Sequence, residues 1–290
     1  MTDRTVGIIG LGIMGSAIAR NLVERGWSVV GFDTDPSRRT ELERAGVTIV
    51  DGTEAVASRA ARIMTCLPNV DAANAVAAEI ARCGQPARIV IELSTLAIAD
   101  KLRFRAVLEA AGHIALDCPL SGTGAQAAVR DLVVYASGDS AAIAQCRDLF
   151  ADFAKQYADL GAYGNGSRMK FVANHLVAIH NVASAEAMML AERAGLDLDQ
   201  VIEMVAPGAG GSRMFQMRAP MMANRSYEPA TMRISTWQKD MAIIAEFASE
   251  LGCETPLFAT TQPVYVQALA MGLGNQDTAA VFEVLKANGA

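Results

Sequence analysis

Short apolar runs alternate with longer mixed stretches through the first part of the chain. Thr5–Ile9, Ser28–Asp33, Val47–Val50, Ile63–Cys66, Ile89–Leu93, Ile114–Asp117 and Leu132–Ala136 are rich in β-branched and aliphatic residues, and Ala- and Arg-rich segments of helical character separate them. Strands written as near-continuous apolar runs are buried on both faces, as in a parallel sheet covered by crossover helices. The alternation therefore predicts an α/β, doubly wound parallel sheet.

The pattern changes after about residue 160. Between Gly166 and Gly195 no Gly or Pro interrupts the chain, and Phe171, Leu176, Ile179, Ala183, Ala187 and Leu190 recur at helical spacing. A helix of that length runs about 40 Å at 1.5 Å per residue. That is too long for one small domain, and it predicts a spine between two. Beyond Leu196 the segments Asp199–Val205, Gln238–Leu251 and Gln262–Met271 read as helices, broken by Pro207-Gly208, Pro220, Pro229 and Pro256. No run there has the period of a strand, so the second domain is expected to be all-α. The expected organisation is a nucleotide-binding domain over residues 1–162, an interdomain helix over 163–194 and an all-α C-terminal domain over 195–290.

Composition narrows the function classes. The chain has 290 residues, 52% hydrophobic and 19% charged, which suits packed domains and not disorder. Its net charge is −6 and no Lys/Arg-rich run occurs, which argues against nucleic acid or an anionic membrane surface as partner. No segment reaches the roughly 18 consecutive apolar residues that spanning a bilayer requires. The five cysteines and three histidines are scattered without a C-x-x-C pair, so no metal ligand set is expected, and unpaired thiols suit a reducing, cytoplasmic location. A secretory signal is not expected, because the glycine motif begins at Gly10 and cleavage would destroy it.

That motif, "VGIIGLGIMGSAIARNL", places Gly10, Gly12 and Gly15 in a G-x-G-x-x-G spacing, with Leu11, Ile13 and Met14 between them. It follows an apolar strand and opens an amphipathic helix. Glycines at these positions allow a tight turn, close backbone approach to a pyrophosphate and close helix–strand packing, while the helix N-terminus offers N–H donors. Asp33 closes the next strand, where an acidic residue meets an adenosine ribose. The expected fold is thus of the Rossmann type. A carboxylate favours NAD, whereas Arg38 and Arg39 close behind leave NADP possible.

"NGSRMKFVANH" (165–175) sets Lys170 and Asn174 four residues apart on one helix face. If Met169, Phe171 and Val172 desolvate the ammonium, its charged form is disfavoured and the amine can exchange a proton with a substrate oxygen. The plain alternative is a snorkelling lysine near a helix start.

Four motifs in order, spread over nearly the whole chain, resemble the β-hydroxyacid dehydrogenase family, which includes 3-hydroxyisobutyrate dehydrogenase and tartronate semialdehyde reductase. They are "GLGIMG" (10–15), "DCPLSGTGAQA" (117–127), "GNGSRMKFVAN" (164–174) and "QKD" (238–240). The resemblance implies that Ser121, Gly122 and Thr123 hold a substrate carboxylate, that Lys170 is the general acid/base with Asn174 beside it, and that Lys239 closes over nicotinamide and substrate. It further implies that Leu67-Pro68 and Ser94-Thr95 line the nicotinamide side. The chain departs from the family pattern at several places. His175 replaces the usual Asn, Thr123 a second glycine and Met232 an aromatic, Trp237 lies two residues before Lys239, and "STLAIAD" lacks a proline. His175 is either a core residue supporting the site or a substrate contact.

Without the resemblance, Ser121 reads as a turn serine and Lys239-Asp240 as a surface pair. Met214, Met217, Met221 and Met222 read as adaptable core. With it, the expected activity is NAD(P)-dependent interconversion of a small β-hydroxyacid and its semialdehyde or keto acid, by a homodimer or homotetramer. The rivals are an imine reductase, which generally lacks the lysine, and a dinucleotide-sensing protein without catalysis. A phosphogluconate-type enzyme would need a longer C-terminal domain.

Overall fold

The computed structural model describes residues 4–288, so the outermost residues of the domains expected over 1–162 and 195–290 lie outside the described residues. Six of the apolar runs pair as parallel strands: β1 (Thr5–Ile9), β2 (Ser28–Phe32), β3 (Thr48–Ile49), β4 (Arg62–Thr65), β5 (Ile89–Glu92) and β6 (Ile114–Asp117), in the spatial order β3-β2-β1-β4-β5-β6. The order reverses at β1, whose Ile9 pairs with Phe32 on one side and Thr65 on the other. Ligands of open α/β sheets bind outside the carboxyl ends of the strands at such a reversal. The segments that leave those ends are the glycine loop after β1, Leu67-Pro68 after β4 and Ser94-Thr95 after β5, with Asp117 closing β6.

The seventh run behaves differently from expectation. β8 (Val133–Ala136) does not join the six-stranded parallel sheet; it pairs antiparallel with β7 (Leu120–Ser121) and parallel with β9 (Gln156–Asp159) in a separate three-stranded sheet. The two sheets meet at an isolated bridge between Asp117 and Ser137, made by reciprocal backbone hydrogen bonds of 2.9 and 2.8 Å. Pro119 lies between β6 and β7, and its missing N–H ends the β6 ladder there.

Two compact units divide the chain, Met1–Lys170 and Phe171–Ala290. The long helix, Asn165–Arg193, begins in the first and continues through the second. The second unit adds helices at Leu198–Val205, Arg213–Ala223, Ile234–Glu250, Pro256–Ala270 and Val281–Asn288. Pro220 does not break a helix as expected but lies inside Arg213–Ala223, and Pro256 opens a helix at its first position, where the missing N–H has no intrahelical partner to lose. The core of this unit holds Trp237, Phe258, Tyr265 and Phe282, with Arg218 buried against Asp277. Among the described residues no helix is long and apolar enough to cross a membrane.

Candidate active site

The glycine loop has the form its spacing requires. Gly10 adopts φ +92°, and a Cβ there would stand 2.2 Å from the Cys66 carbonyl oxygen. A Cβ on Gly15 would stand 2.0 Å from the Gly10 carbonyl oxygen, so the helix Ile13–Glu24 starts against the loop with no room for a side chain. Gly12 is its N-cap and supplies no side-chain acceptor, which leaves the positive end of the helix to an incoming anion. Leu11 is buried, Met14 packs on the core and Ile13 is exposed. These features fit a dinucleotide pyrophosphate.

Asp33 is held by the loop it serves. Its carboxylate accepts the Leu11 N–H at 2.6 Å and the Asp35 N–H at 2.8 Å. Arg38 turns back on the loop, donating to the Leu11 carbonyl at 3.3 Å and pairing with Asp35 at 3.4 Å. Across the reversal, the Leu67 N–H donates to the Ser94 hydroxyl at 2.8 Å, and the Ser94 N–H donates to the Glu92 carboxylate at 2.9 Å. The segments bearing Leu67-Pro68 and Ser94-Thr95 are thus tied to one another.

The 121–123 segment is less uniform than its resemblance implies. Gly122 adopts φ +137°, and a Cβ there would meet Leu132 at 2.5 Å. Thr123 caps the short helix Gly124–Ala128, its hydroxyl accepting the Gln126 N–H at 3.4 Å while its own N–H donates to Gln126 Oε1 at 3.1 Å. The Thr123 N–H is thus engaged within its own turn, and its hydroxyl lies 3.4 Å from Gln126 Oε1.

Lys170 is 9% exposed and Asn174 4%, one turn apart on the long helix. Of the neighbours expected to shield the lysine, Phe171 is buried, whereas Met169 and Val172 are exposed. Each residue turns a helix by about 100°, so adjacent side chains diverge and do not cover one another.

In the second unit, Asn174 Nδ2 donates to Asp240 Oδ2 at 3.0 Å, and Lys239 Nζ lies 3.6 Å from Asp240 Oδ1. His175 is half-buried and stacks on Phe258, with ring centroids 5.1 Å apart and planes 17° from parallel. Trp237 is buried and packs near Tyr265.

A buried charged cluster lies beneath the first unit's site, and only its Asp117 fell within a sequence motif. Lys101 is wholly buried between Glu92 and Asp117, with its Nζ 2.9 Å from Asp117 Oδ1. The two carboxylates hold the ammonium charged, raising its pKa above the ordinary lysine range against the opposing effect of burial. The signal was present in the sequence: Lys101 shares an i, i+3, i+7 face with Phe104 and Leu108, a core stripe where a lone lysine needs a partner. Among the described residues no group of His, Cys, Asp and Glu is arranged to hold a metal ion.

Comparison with known proteins agrees with this geometry. Residues 5–162 match the family model described as the NAD-binding domain of 6-phosphogluconate dehydrogenase. Residues 164–285 match that described as NAD-binding of NADP-dependent 3-hydroxyisobutyrate dehydrogenase. The chain is 31% identical to an L-threonate dehydrogenase of Cupriavidus necator over 97% of its own length and 96% of that protein's. A crystal structure of a 3-hydroxyisobutyrate dehydrogenase from Salmonella typhimurium superposes with a TM-score of 0.88 at 30% identity, covering 97% of this chain and 99% of the other. The Mycobacterium tuberculosis 3-hydroxyisobutyrate dehydrogenase with L-serine gives 0.87 at 26% identity, covering 97% and 98%.

Proposed function

Because this chain belongs to the β-hydroxyacid dehydrogenase family and is an NAD(P)-dependent oxidoreductase, we propose that it interconverts a small β-hydroxyacid and its semialdehyde or keto acid, with Lys170 as general acid/base. The observation that carries the proposal is the burial of Lys170 together with Asn174 on one face of the long helix. An amine held largely out of bulk water, with a carboxamide one turn away on the same helix face, has the chemistry to exchange a proton with a substrate hydroxyl.

When bound, the nicotinamide coenzyme accepts or supplies the hydride. Gly10, Gly12 and Gly15 would hold its pyrophosphate, Asp33 its ribose, and the segments at Leu67-Pro68 and Thr95 its nicotinamide end. The proposed work of the remaining residues is binding, orientation and proton transfer. Lys170 takes the hydroxyl proton in oxidation and returns it in reduction, while Asn174 orients that oxygen. Ser121, Gly122 and Thr123 anchor the carboxylate, and Lys239 adds positive charge. Held in this way, the reacting groups meet without the entropic cost of a chance encounter.

NAD is the proposed coenzyme over NADP, on the charge of Asp33 and the engagement of Arg38 with the loop. The enzyme is further proposed to be cytosolic and to self-associate as a homodimer or homotetramer; in the second unit alone Leu190, Leu257 and Val266 are 70%, 68% and 58% exposed. Absorbance at the reduced-coenzyme band, with a panel of β-hydroxyacids including L-threonate, 3-hydroxyisobutyrate and L-serine, tests the reaction and the coenzyme together. Turnover of a β-hydroxyacid with NAD supports the proposal; binding of coenzyme with no turnover of any member would leave a sensing protein instead.

A further inference from the structure

The first turn of the long helix is clamped from outside. Its Gly166 N–H donates to the Ser137 hydroxyl at 2.9 Å and its Ser167 N–H to Asp117 Oδ2 at 2.8 Å, two of the donors that a helix start leaves without intrahelical acceptors. The Ser167 hydroxyl donates to the other oxygen of Asp117, also at 2.8 Å. Gly166 sits so close to the sheet that a Cβ would stand 2.2 Å from the Tyr135 carbonyl oxygen and 2.6 Å from that of Asp117. The helix start therefore has little freedom to slide or turn on β6 and β8.

Lys101 links this clamp to the other side of the site. Its ammonium pairs with Asp117 and with Glu92. Glu92 in turn accepts the Ser94 N–H, and Ser94 accepts the Leu67 N–H. One chain of contacts thus runs Leu67, Ser94, Glu92, Lys101, Asp117, Ser167, and Lys170 follows three residues on. Glu92, Lys101 and Asp117 are all wholly buried, and the backbone carbonyl of Lys101 accepts the Tyr163 hydroxyl at 3.0 Å. Two carboxylates face one ammonium; the positive end of the long helix at Asp117 supplies the remaining compensation. Removing the ammonium would leave two buried anions confronting each other, and the helix start is one of the groups that would move.

We propose that Lys101 is a positioning residue: through Glu92 and Asp117 it fixes the coenzyme-side loops and the first turn of the long helix in one register, and so sets where the Lys170 amine stands. The inference rests on the reading of Lys170 as general acid/base. Displacements of about 1 Å in such a placement cost about a hundredfold in rate.

The experiment compares Lys101→Met, Ser167→Ala, Ser167→Thr and Lys170→Ala in the full-length protein. It measures turnover and KM with L-threonate, 3-hydroxyisobutyrate and L-serine as probes, and the NADH dissociation constant by fluorescence. It also follows the NMR pH titration of lysines reductively methylated with ¹³C, in which the Lys170 signal is the one absent from Lys170→Ala. Ser167→Ala removes one hydroxyl and keeps the helix N–H, so it spares folding if Lys101→Met does not. The expected result for Ser167→Ala is a fall in kcat of about tenfold, equivalent to one charged hydrogen bond, with KM and NADH binding unchanged and the Lys170 resonance displaced. Ser167→Thr restores both. Lys101→Met lowers kcat further and weakens NADH binding as well. A folded Ser167→Ala protein with wild-type kcat and an unmoved Lys170 resonance overturns the proposal, and where no probe is turned over the resonance alone decides in the same way. Undiminished turnover in Lys170→Ala would overturn the general-acid reading instead, a result distinct from either outcome for Ser167.

Discussion

Asn174 donates its side-chain amide to Asp240 across 3.0 Å, and the second oxygen of the same carboxylate lies 3.6 Å from the Lys239 ammonium. Asp240 is 6% exposed, whereas Lys239 keeps about a third of its side chain in solvent. The carboxylate therefore orients the two groups proposed to touch the substrate, and the buried bond to Asn174 outweighs the exposed pairing with Lys239. Replacing Asp240 by Ala is expected to lower kcat by about tenfold to a hundredfold, from about 1.5–3 kcal/mol for a charged hydrogen bond. Steady-state kinetics of Asp240→Ala beside Asn174→Ala and the double variant check it. Coupled residues give a double variant little worse than the poorer single one.

The glycine loop gives a steric prediction. Gly15→Ala must displace the Gly10 carbonyl, 2.0 Å from the new Cβ, and with it the surface that would receive a pyrophosphate. NADH binding, followed by fluorescence, is expected to weaken by about fivefold to a hundredfold, because overpacking of this kind costs about 1–3 kcal/mol even where a core can relax. Gly52→Ala is the control. Its φ of 178° suits any residue and nothing lies within 4 Å of the added Cβ, so NADH binding should be retained.

Two thiols are set apart by burial. Desolvation pushes Cys146 up to about 12 and Cys118 well above the usual thiol range, the latter with Asp117 adding to the effect. Cys253 is exposed. At pH 8 a thiol reagent should label Cys253 first and leave Cys118 and Cys146 unmodified until the protein unfolds, as read by mass spectrometry. Linkage has a definite sign here. A raised folded-state value means that the folded protein retains a proton the unfolded chain loses above about pH 8.5, so stability falls as pH rises from there toward 12. Cys146→Ala should flatten that alkaline decline in a pH series of melting temperatures.

Much of the fold was legible because its signals are local. β1 to β6 are apolar runs with loops of Gly, Asp and Pro between them. The long helix is legible as a span without Gly or Pro, and its observed limits, Asn165 and Arg193, lie within two residues of Gly166 and Gly195. The second sheet was not legible. β7 is two residues long, and β9, Gln-Tyr-Ala-Asp, is an edge strand whose polar ends face water, so neither carries an apolar period. The placement of β8 outside the main sheet depends on these partners, which no pattern within Leu132–Ala136 encodes. In the site, the glycine loop and the Lys170–Asn174 spacing were readable. The capping box of Thr123 is also written in "TGAQ", a Thr followed three residues later by Gln. The burial of Lys101 was readable from its helix face, but its partners needed a tertiary fact: that Glu92 and Asp117 end adjacent strands.

The claim on which the account turns is that the amine of Lys170 carries the proton in hydride transfer. Its most direct measurement is the kcat of Lys170→Ala on a turned-over β-hydroxyacid, taken beside the NADH dissociation constant of the same protein. The expected result is a loss of about a hundredfold to ten-thousandfold in kcat, the usual worth of general acid–base catalysis, with NADH binding and melting temperature unchanged. Turnover within a few-fold of wild type in a variant that still binds NADH would contradict it.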